Sequence, residues 1–343
     1  MRQLIKRRLV DEASQDGELR SQRYNRFLDE LRASPIAIET GAANTQHYEV
    51  PAEFFHLHLG PRLKYSCALY PTGDETLAEA EERMLALYAE RAELVDGQRM
   101  LDLGCGWGSL SLWLAERFPK SEIVGLSNSH GQRAFILARA AERGLHNLRI
   151  ITGNIVDFEF PAEGIEAGFD RVLSIEMFEH MKNYGLLLAK IARWMKPEAK
   201  LFVHIFVHKL LAYHFEVANQ TDWMSRYFFT GGTMPSENLL LNFQDDVKLE
   251  RQWWLSGTHY ERTANHWLAS MDAKKAQIMP VFRRAYGDEQ AAIWFQRWRM
   301  FYMAVAELFG YAGGNEWGVA HYRFARRESK GDTRRSDKHG ARS

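Results

Sequence analysis

The sequence predicts an α/β fold in which a mostly parallel sheet carries helices on both faces. Between residues 97 and 208, apolar runs of strand length alternate with amphipathic runs of helix length, a pattern typical of consecutive β-α-β units. The runs are RMLDLG, LSLWLAERF, EIVGLS, RAFILARAAERG, LRIITG, FDRVLSI, LLLAKIARWMK and LFVHIFVH. A glycine-rich turn directly follows the first run, where a strand is expected to pass into a helix. Together these observations predict a doubly wound, Rossmann-like sheet.

Composition divides the chain into four parts. They comprise residues 1–85, 86–208, 209–324 and 325–343. The first part is helix-prone, and Tyr24, Phe27 and Leu31 form one apolar helical face. The second is the predicted sheet. The third opens on an irregular aromatic segment, expected to be inserted over the sheet as a lid, and continues through helices near 263–309 to a closing strand in WGVAHYRF. The fourth is a basic tail, expected to be disordered.

Charge and cysteine content exclude several classes of function. The 343 residues contain 44 Lys and Arg against 44 Asp and Glu, so no basic field indicates a nucleic-acid partner. Cys67 and Cys105 are too few for a disulfide framework or a cysteine-based zinc site. No secretion signal is recognised at the N-terminus and no apolar run approaches the roughly 20 residues of a membrane span, so a cytoplasmic setting is expected.

The glycine-rich turn LDLGCGWGS occupies residues 101–109, and its glycines allow a tight turn and close approach of a polar ligand. Its spacing, preceded by Asp102, differs from the dinucleotide fingerprint, and the second predicted strand ends without an acid. Ser127, Asn128 or Gln132 could bind a ribose hydroxyl there instead. From these residues alone, a nucleoside-type ligand and a purely structural turn both stay open.

The stretch SIEMFEHMKNY, residues 174–184, follows the predicted strand FDRVLSI and contains Glu176, Glu179 and His180. Ligands of open α/β sheets bind at the carboxyl ends of the strands, so these side chains are expected at a binding site. Carboxylates and a histidine there suit proton transfer. A polar helix start is the structural alternative. A metal site is disfavoured, because no HExxH motif or further spaced ligand is present.

Several long motifs occur in one order: LDLGCGWGS, VGLSNS, FDRVLSIEMFEHMKNYG and YFFTGGTMPS. In this respect the chain resembles the cyclopropane-fatty-acid-synthase-type S-adenosylmethionine methyltransferases, and within them the coclaurine N-methyltransferase group, over residues 48–324. The resemblance implies a class I methyltransferase fold whose N-terminal helical region closes over the cofactor and whose inserted lid covers the acceptor. It also implies S-adenosylmethionine as methyl donor, S-adenosylhomocysteine as product, and no metal.

The resemblance also carries cofactor contacts onto this sequence. They concern the methionine part, the glycine turn, the ribose and the adenine, and comprise Tyr65, Ser66, Asp102, Gly104, Gly106, Ser127, Asn128, Gln132, Asn154 and Ile155. Many methyltransferases have an aspartate where this chain has Asn154. An amide can still donate to and accept from an adenine edge, so cofactor binding is expected to survive the difference.

For the reaction itself, the resemblance to the N-methyltransferase group implies that Glu176, Glu179 and His180 position and deprotonate an amine. The lipid-modifying branch implies another chemistry, in which a bound bicarbonate removes the proton. Cys67, Glu179, His204 and Tyr302 match the residues that hold this anion there. His204 also lies on a predicted buried strand, and Cys67 can simply pack as a small apolar group. A cofactor-binding protein without catalysis is a third hypothesis.

Trp223, Tyr227 and Phe228 of the aromatic segment are the remaining predicted acceptor contacts. Their rings suit an aromatic amine and its protonated nitrogen, although they could equally roof the core. The predicted partner is therefore a small aromatic or cyclic amine, with a tetrahydroisoquinoline as the example. No nucleic acid and no stable membrane insertion are expected, and a homodimer stays open as the assembly.

Overall fold

A computed structural model describes residues 2–12, 15–38, 51–216 and 223–327, and a seven-stranded sheet lies at its centre. The strands are β1 Arg99–Leu103, β2 Glu122–Ser127, β3 Leu148–Thr152, β4 Phe169–Ile175, β5 Met195–His208, β8 Val247–Ser256 and β9 Trp317–Arg326. Their order is β3-β2-β1-β4-β5-β9-β8. The pairs from β3 to β5 are parallel, whereas β9 is antiparallel to both of its neighbours. The predicted α/β class with a mostly parallel sheet is confirmed.

Helices cover both faces of this sheet. They are α1 Arg2–Asp11, α2 Gly17–Ala33, α3 Ala52–His58, α4 Leu77–Arg91, α5 Ser109–Arg117, α6 His130–Glu142, α7 Tyr184–Trp194, α8 Trp223–Tyr227, α9 Gly257–Ala273, α10 Lys275–Tyr286 and α11 Asp288–Phe309. One core combines α3 to α6 with α9 to α11, and the other contains α2 and α7. Strand β5 serves both cores, since Phe202 and Phe206 enter the first while Val203 and Ile205 enter the second.

The predicted lid is the part of the chain that departs from the sheet after β5. Two short strands, β6 Tyr213–His214 and β7 Thr233–Met234, pair antiparallel beside α8. Residues 217–222 of the lid and the predicted basic tail beyond 327 lie outside the described residues. No helix within the described ranges is both long and apolar enough to cross a bilayer.

The predicted boundary after residue 85 falls inside helix α4. This helix begins with a capping box, in which Thr76 and Glu79 satisfy each other's backbone N–H groups. It then continues without a break to Arg91 and buries Met84, Leu85 and other apolar side chains. Helix α4 therefore belongs to both the first and the second predicted part of the chain. The apolar face predicted around Tyr24 is present in α2, where Phe27 and Leu31 are buried.

Gly257 determines how closely helix α9 approaches the end of the sheet. A Cβ atom at this position would lie 2.2 Å from the carbonyl oxygens of both Phe309 and Trp317. These oxygens belong to the backbone and cannot rotate away. The close approach matters for the site, because α9 carries Tyr260 and Trp267 to the walls of a cavity beside the sheet.

We expect Gly257→Ala to lower the free energy of unfolding by about 1–3 kcal/mol, because the added methyl group must push α9 away from two backbone carbonyls. Urea unfolding followed by circular dichroism measures the effect. Gly131→Ala is the matched control, since its Cβ would meet only Ser129 Oγ, at 3.7 Å, inside α6. Equal stability of the two variants would contradict this account of the packing.

Candidate active site

Two adjoining cavities lie at the carboxyl ends of β1 and β4, the edge at which ligands of open α/β sheets bind. The first has a volume of about 950 Å³, its open mouth included, and the second about 720 Å³. Gly104, Gly106, Gln132 and His180 lie on the walls of both. One elongated ligand could therefore extend from one cavity into the other.

All the residues predicted to contact a cofactor line these cavities. Tyr65, Ser66 and Asp102 lie on the first, and Ser127, Asn128, Asn154 and Ile155 on the second, with Gly104, Gly106 and Gln132 on both. Gly104 has a φ of +84°, and a Cβ there would lie 2.8 Å from Met177 Cγ. Glycine at this position thus avoids both a strained backbone and a collision.

Gln132 carries a donor that points to a ligand. Its side chain is 1% exposed, and its Oε1 accepts a hydrogen bond from Ser127 Oγ at 2.7 Å. Its Nε2 has no hydrogen-bond partner within the described part of the chain. Nearby, Asp102 accepts from Ser111 Oγ at 2.6 Å, and burial raises the pKa of Asp102 to about 6. Polar ligand groups such as ribose hydroxyls would satisfy the free donor of Gln132.

Glu176 follows directly after β4 with a φ of +47°, a left-handed conformation that is uncommon for a residue with a side chain. Its Oε1 accepts from the backbone N–H of Cys67 at 2.9 Å and lies 3.0 Å from His204 Nε2. Its Oε2 accepts from the Tyr260 hydroxyl at 2.6 Å. Three segments of the chain therefore hold this carboxyl group at the cavity wall.

Lys64 is a buried cation beside Glu176 that sequence reasoning missed. Only 2% of it is exposed, and its Nζ donates to the carbonyl oxygen of Cys67 at 2.7 Å and to Ser66 Oγ. Burial lowers the pKa of Lys64 to about 8, while the negative charge of Glu176 acts in the opposite direction. The only available signal was its position next to Tyr65 and Ser66 in LKYSC.

Glu179 and His180 lie on the short 3-10 turn that follows Glu176, and both reach the cavity wall. Glu179 is 1% exposed, and its Oε2 has no hydrogen-bond partner among the described residues. Burial first, and the nearby charge of Glu176 second, raise the pKa of Glu179 well above its usual range. The His180 ring lies parallel to Phe229, with a centroid distance of 5.3 Å. The structure thus brings the three predicted catalytic residues together.

Two predicted anion contacts lie behind the cavity wall instead of on it. His204 and Cys67 are fully buried, and both direct hydrogen bonds at Glu176. The Cys67 thiol itself faces the carbonyl oxygen of Ala68 at 3.3 Å, and burial raises the thiol pKa. Both residues therefore have the carboxylate of Glu176 as a hydrogen-bond partner.

Tyr302 also lies outside both cavity walls, contrary to the expectation. It is fully buried, and its hydroxyl lies 2.6 Å from His58 Nε2. His58 Nδ1 donates to the carbonyl oxygen of Phe54 at 2.7 Å, so Nε2 is the acceptor and the tyrosine is the donor. Burial lowers the pKa of His58 to about 3. This pair belongs to the core beneath the site.

The three aromatic residues predicted as acceptor contacts do not line these cavities either. Phe228 is fully buried and stacks on Phe301 at 4.4 Å. The guanidinium group of Arg297 lies 4.1 Å from the ring centroid of Tyr227. Trp223 lines a separate surface depression. Because these rings have neighbours in the surrounding helices, they support the roof of the site.

Other aromatic and apolar side chains form the walls in their place. They include Phe229, Tyr260, Trp267, Phe301 and Val305. A signal existed in the sequence, since Tyr260 and Trp267 are seven residues apart in α9, and residues at this spacing share one helical face. That spacing indicates an apolar face but does not say what the face contacts. Within the described part, no three His, Cys, Asp or Glu residues are grouped to hold a metal ion.

Known methyltransferases resemble this chain over most of its length. A crystal structure of coclaurine N-methyltransferase, bound to N-methylheliamine and S-adenosylhomocysteine, has a TM-score of 0.90 and 37% identity, covering 94% of this chain and 93% of that one. (S)-Coclaurine N-methyltransferase of Thalictrum flavum subsp. glaucum is 40% identical over 301 residues, or 87% of this chain and 82% of the relative. Cyclopropane-fatty-acyl-phospholipid synthase of Escherichia coli (strain K12) is 30% identical over 224 residues, or 65% of this chain and 54% of the relative.

These similarities define an S-adenosylmethionine-dependent methyltransferase with the class I fold, which confirms the predicted enzyme class. The sequence profile of mycolic acid cyclopropane synthetase matches residues 38–310. The chain belongs to this family. The predicted resemblance to the coclaurine N-methyltransferase group is likewise confirmed.

The buried His58 predicts a pH-dependent stability. With an unfolded pKa near 6.5 and a folded pKa of about 3, only the unfolded chain takes up this proton as the pH falls below 6.5. The free energy of unfolding should then fall by up to about 1.4 kcal/mol per pH unit from this residue, until the pH reaches the folded pKa. Chemical unfolding at several pH values measures the slope.

His58→Gln should remove the contribution of one proton, up to about 1.4 kcal/mol per pH unit, from that slope. We expect this whether or not the substitution changes stability at neutral pH. His146→Gln, at an exposed position, is the control and should leave the slope as in the wild type. An unchanged slope in His58→Gln would show that this histidine is not held neutral in the folded protein.

Proposed function

We propose that the protein transfers a methyl group from S-adenosylmethionine to the nitrogen of a small cyclic amine that carries an aromatic ring, such as a tetrahydroisoquinoline. The observation that carries the proposal is the buried carboxyl group of Glu179, whose Oε2 lacks a hydrogen-bond partner among the described residues. Leaving a buried acceptor unpaired costs free energy, so a ligand that donates a hydrogen bond would be favoured there. An amine has such an N–H group, whereas the alkene of an acyl chain has none.

The cofactor would extend through both cavities. The donor supplies a methyl group on a positively charged sulfur. The free Nε2 of Gln132 fits a ribose hydroxyl, and Asn154 and Ile155 would contact the adenine. Tyr65 and Ser66 on the first cavity would hold the methionine part. The methyl group would then lie in the cavity whose wall carries Glu179.

Glu179 and His180 handle the proton of the amine. Nitrogen attacks with a free lone pair, so an ammonium group that arrives from water must first lose a proton. The raised pKa of Glu179 makes its ionised form a stronger base than an ordinary glutamate. The positive charges of donor and acceptor favour that ionised form. His180, with its ring stacked on Phe229, is the second proton acceptor at the cavity wall.

Glu176 supplies a negative charge that is held in one place, and it does not accept the proton of the amine. Its oxygens already accept from Cys67, Tyr260 and His204, which leaves the carboxyl group little freedom to move. In a buried site an ion of opposite charge is attracted more strongly than in water. Tyr260 and Trp267 place aromatic faces at the same wall, and such faces also attract cations. A cationic, ring-bearing acceptor matches both features.

The acyl-lipid alternative meets two obstacles. Cys67 and His204, two of the positions expected to hold bicarbonate, donate to the carboxylate of Glu176. Tyr302, the third, donates to His58. A bound bicarbonate would have to displace a buried carboxylate from its donors, and like charges oppose such an approach. Glu179 is the one expected contact that stays available at the cavity wall.

The first test of this function is the transfer of labelled methyl groups from S-adenosylmethionine. We expect label to enter cyclic secondary amines such as tetrahydroisoquinolines, while vesicles of unsaturated phospholipid stay unlabelled. Primary straight-chain amines serve as the comparison for the aromatic wall and should react more slowly. Label in lipid alone would overturn the amine proposal, and cofactor binding without any transfer would indicate a binding protein.

A second test separates proton handling from cofactor binding. We expect Glu179→Gln and His180→Ala to lower kcat by about 100-fold or more, because each removes a group that accepts the amine proton. Affinity for S-adenosylmethionine, measured by calorimetry, should change by no more than about threefold, which is under 1 kcal/mol. Glu75→Gln is the matched control, since Glu75 is buried and bonded to Thr72 and Gly73 away from both cavities. Parallel losses of affinity and turnover would assign Glu179 and His180 to the fold or the cofactor site.

A further inference from the structure

Behind Glu176, a chain of hydrogen bonds runs from the edge of the molecule to the cavity. Arg91 Nη1 lies 2.7 Å from His321 Nδ1, and His321 Nε2 lies 2.8 Å from His204 Nδ1. His204 Nε2 lies 3.0 Å from Glu176 Oε1. The two histidines are direct cross-strand neighbours on β5 and β9, and both are fully buried. Arg91, at the end of α4, is partly exposed.

Only one arrangement of protons satisfies this chain. An arginine has donors and no acceptor, so Nδ1 of His321 must be unprotonated. A neutral His321 then carries its proton on Nε2 and donates it to His204 Nδ1. His204 in turn carries its proton on Nε2 and donates it to Glu176. Both histidines are neutral, because burial and neighbouring positive charges lower their pKa values well below the usual range.

Every hydrogen bond in the chain therefore points towards the carboxylate. Donors that are aligned in this way polarise one another, so the last one is stronger than an isolated imidazole N–H. Tyr88 adds a hydroxyl 3.0 Å from His204 Nδ1, the same acceptor that His321 uses. The other titratable groups that face Glu176 are Lys64, Cys67, Glu179 and Tyr260, and Lys64 also faces the two histidines.

We propose that Arg91, His321 and His204 form a positioning chain that holds Glu176 ionised, so that the proton of the buried carboxyl pair resides on Glu179 before ligands bind. Two neighbouring carboxylates cannot both be ionised in a buried site without a large cost, and an asymmetric supply of donors decides which of them keeps the proton. Glu176 has three donors, while Glu179 Oε2 has none among the described residues. The inference rests on the proposed function in one respect only, namely that both carboxyl groups act on an amine acceptor.

The division of roles has a chemical consequence. Burial raises the pKa of Glu176 as well, but its donors keep it ionised, and its charge attracts a cationic acceptor. Glu179 loses its proton to solvent when the positively charged donor enters, and its carboxylate then accepts the proton of the amine. Neither His204 nor His321 lies on a cavity wall, so both act through Glu176 and not on the substrate. They are positioning residues for a reaction that they do not touch.

The decisive variant is His321→Phe, which keeps a ring on β9 but removes the link between Arg91 and His204. We expect the acid limb of the pH profile of kcat/KM to move to higher pH by about half a unit or more, because His321 no longer polarises the His204 N–H that donates to Glu176. The KM for the amine should rise, with the affinity for S-adenosylmethionine unchanged within about twofold. His321→Gln offers an acceptor to Arg91 and a donor to His204, and its profile should return towards that of the wild type.

His208→Phe is the matched control, because His208 is equally buried on β5 but does not contact the chain that leads to Glu176. Its Nδ1 accepts from the backbone N–H groups of Leu210 and Leu211, and its Nε2 lies 3.1 Å from Glu316 Oε1. It should lower thermal stability without moving the pH profile. A His321→Phe variant that also loses only stability, with wild-type profile and KM, would overturn the proposal and make the chain purely structural.

A readout without an acceptor separates this inference from the proposed function. The carboxyl carbon resonances of ¹³C-labelled glutamate, with Glu176 assigned through Glu176→Gln, report ionisation in the protein alone. We expect Glu176 to stay ionised to lower pH than Glu179, and to lose about half a unit or more of that advantage in His321→Phe. The opposite order of titration would refute the chain's role even if amines are methylated. The expected order would support it even if the natural acceptor is not an amine.

Discussion

The buried carboxylate of Glu176 is the contact on which the rest of the site depends. It follows β4 and accepts hydrogen bonds from the backbone of Cys67, from Tyr260 of α9 and from His204 of β5. A buried charge is tolerated only when its oxygens are satisfied, so these segments must meet at one point. The left-handed backbone at Glu176 costs free energy, and the same hydrogen bonds compensate for it.

This contact also sets the electrostatic character of the cavity. The carboxyl group of Glu176 is surrounded by donors, and that of Glu179, three residues further along the chain, has an oxygen without a hydrogen-bond partner among the described residues. The buried cation of Lys64 lies near Glu176. The neighbouring histidines contribute polarity without charge, because burial keeps them neutral. A site of this kind favours a cationic ligand that can donate a hydrogen bond. The carboxylate of Glu176 occupies the donors of Cys67 and His204, which the lipid chemistry would assign to a free anion.

Much of the fold was predictable, because patterns among residues close together in the sequence indicate its strands and helices. The parallel strands could be recognised in the sequence as apolar runs, since a strand covered on both faces has apolar residues throughout. The glycine turn and the cluster from Glu176 to His180 were recognisable because their residues are adjacent in sequence. The roles of Cys67, His204 and Tyr302 were harder to predict. Each residue type suited an anion site, but the partners that they bond to lie 109, 28 and 244 residues away.

By itself, the sequence determined the class of sheet, the position of the glycine turn and the grouping of two carboxyl groups with a histidine after β4. Only the tertiary structure decided that Glu176 is enclosed by donors, while one oxygen of Glu179 at the cavity wall has no hydrogen-bond partner among the described residues. It also decided that Tyr260 and Trp267 line the cavity, whereas Tyr302 does not. The physical reason is that periodicity reveals which face of an element is buried, while hydrogen-bond partners depend on how distant elements pack.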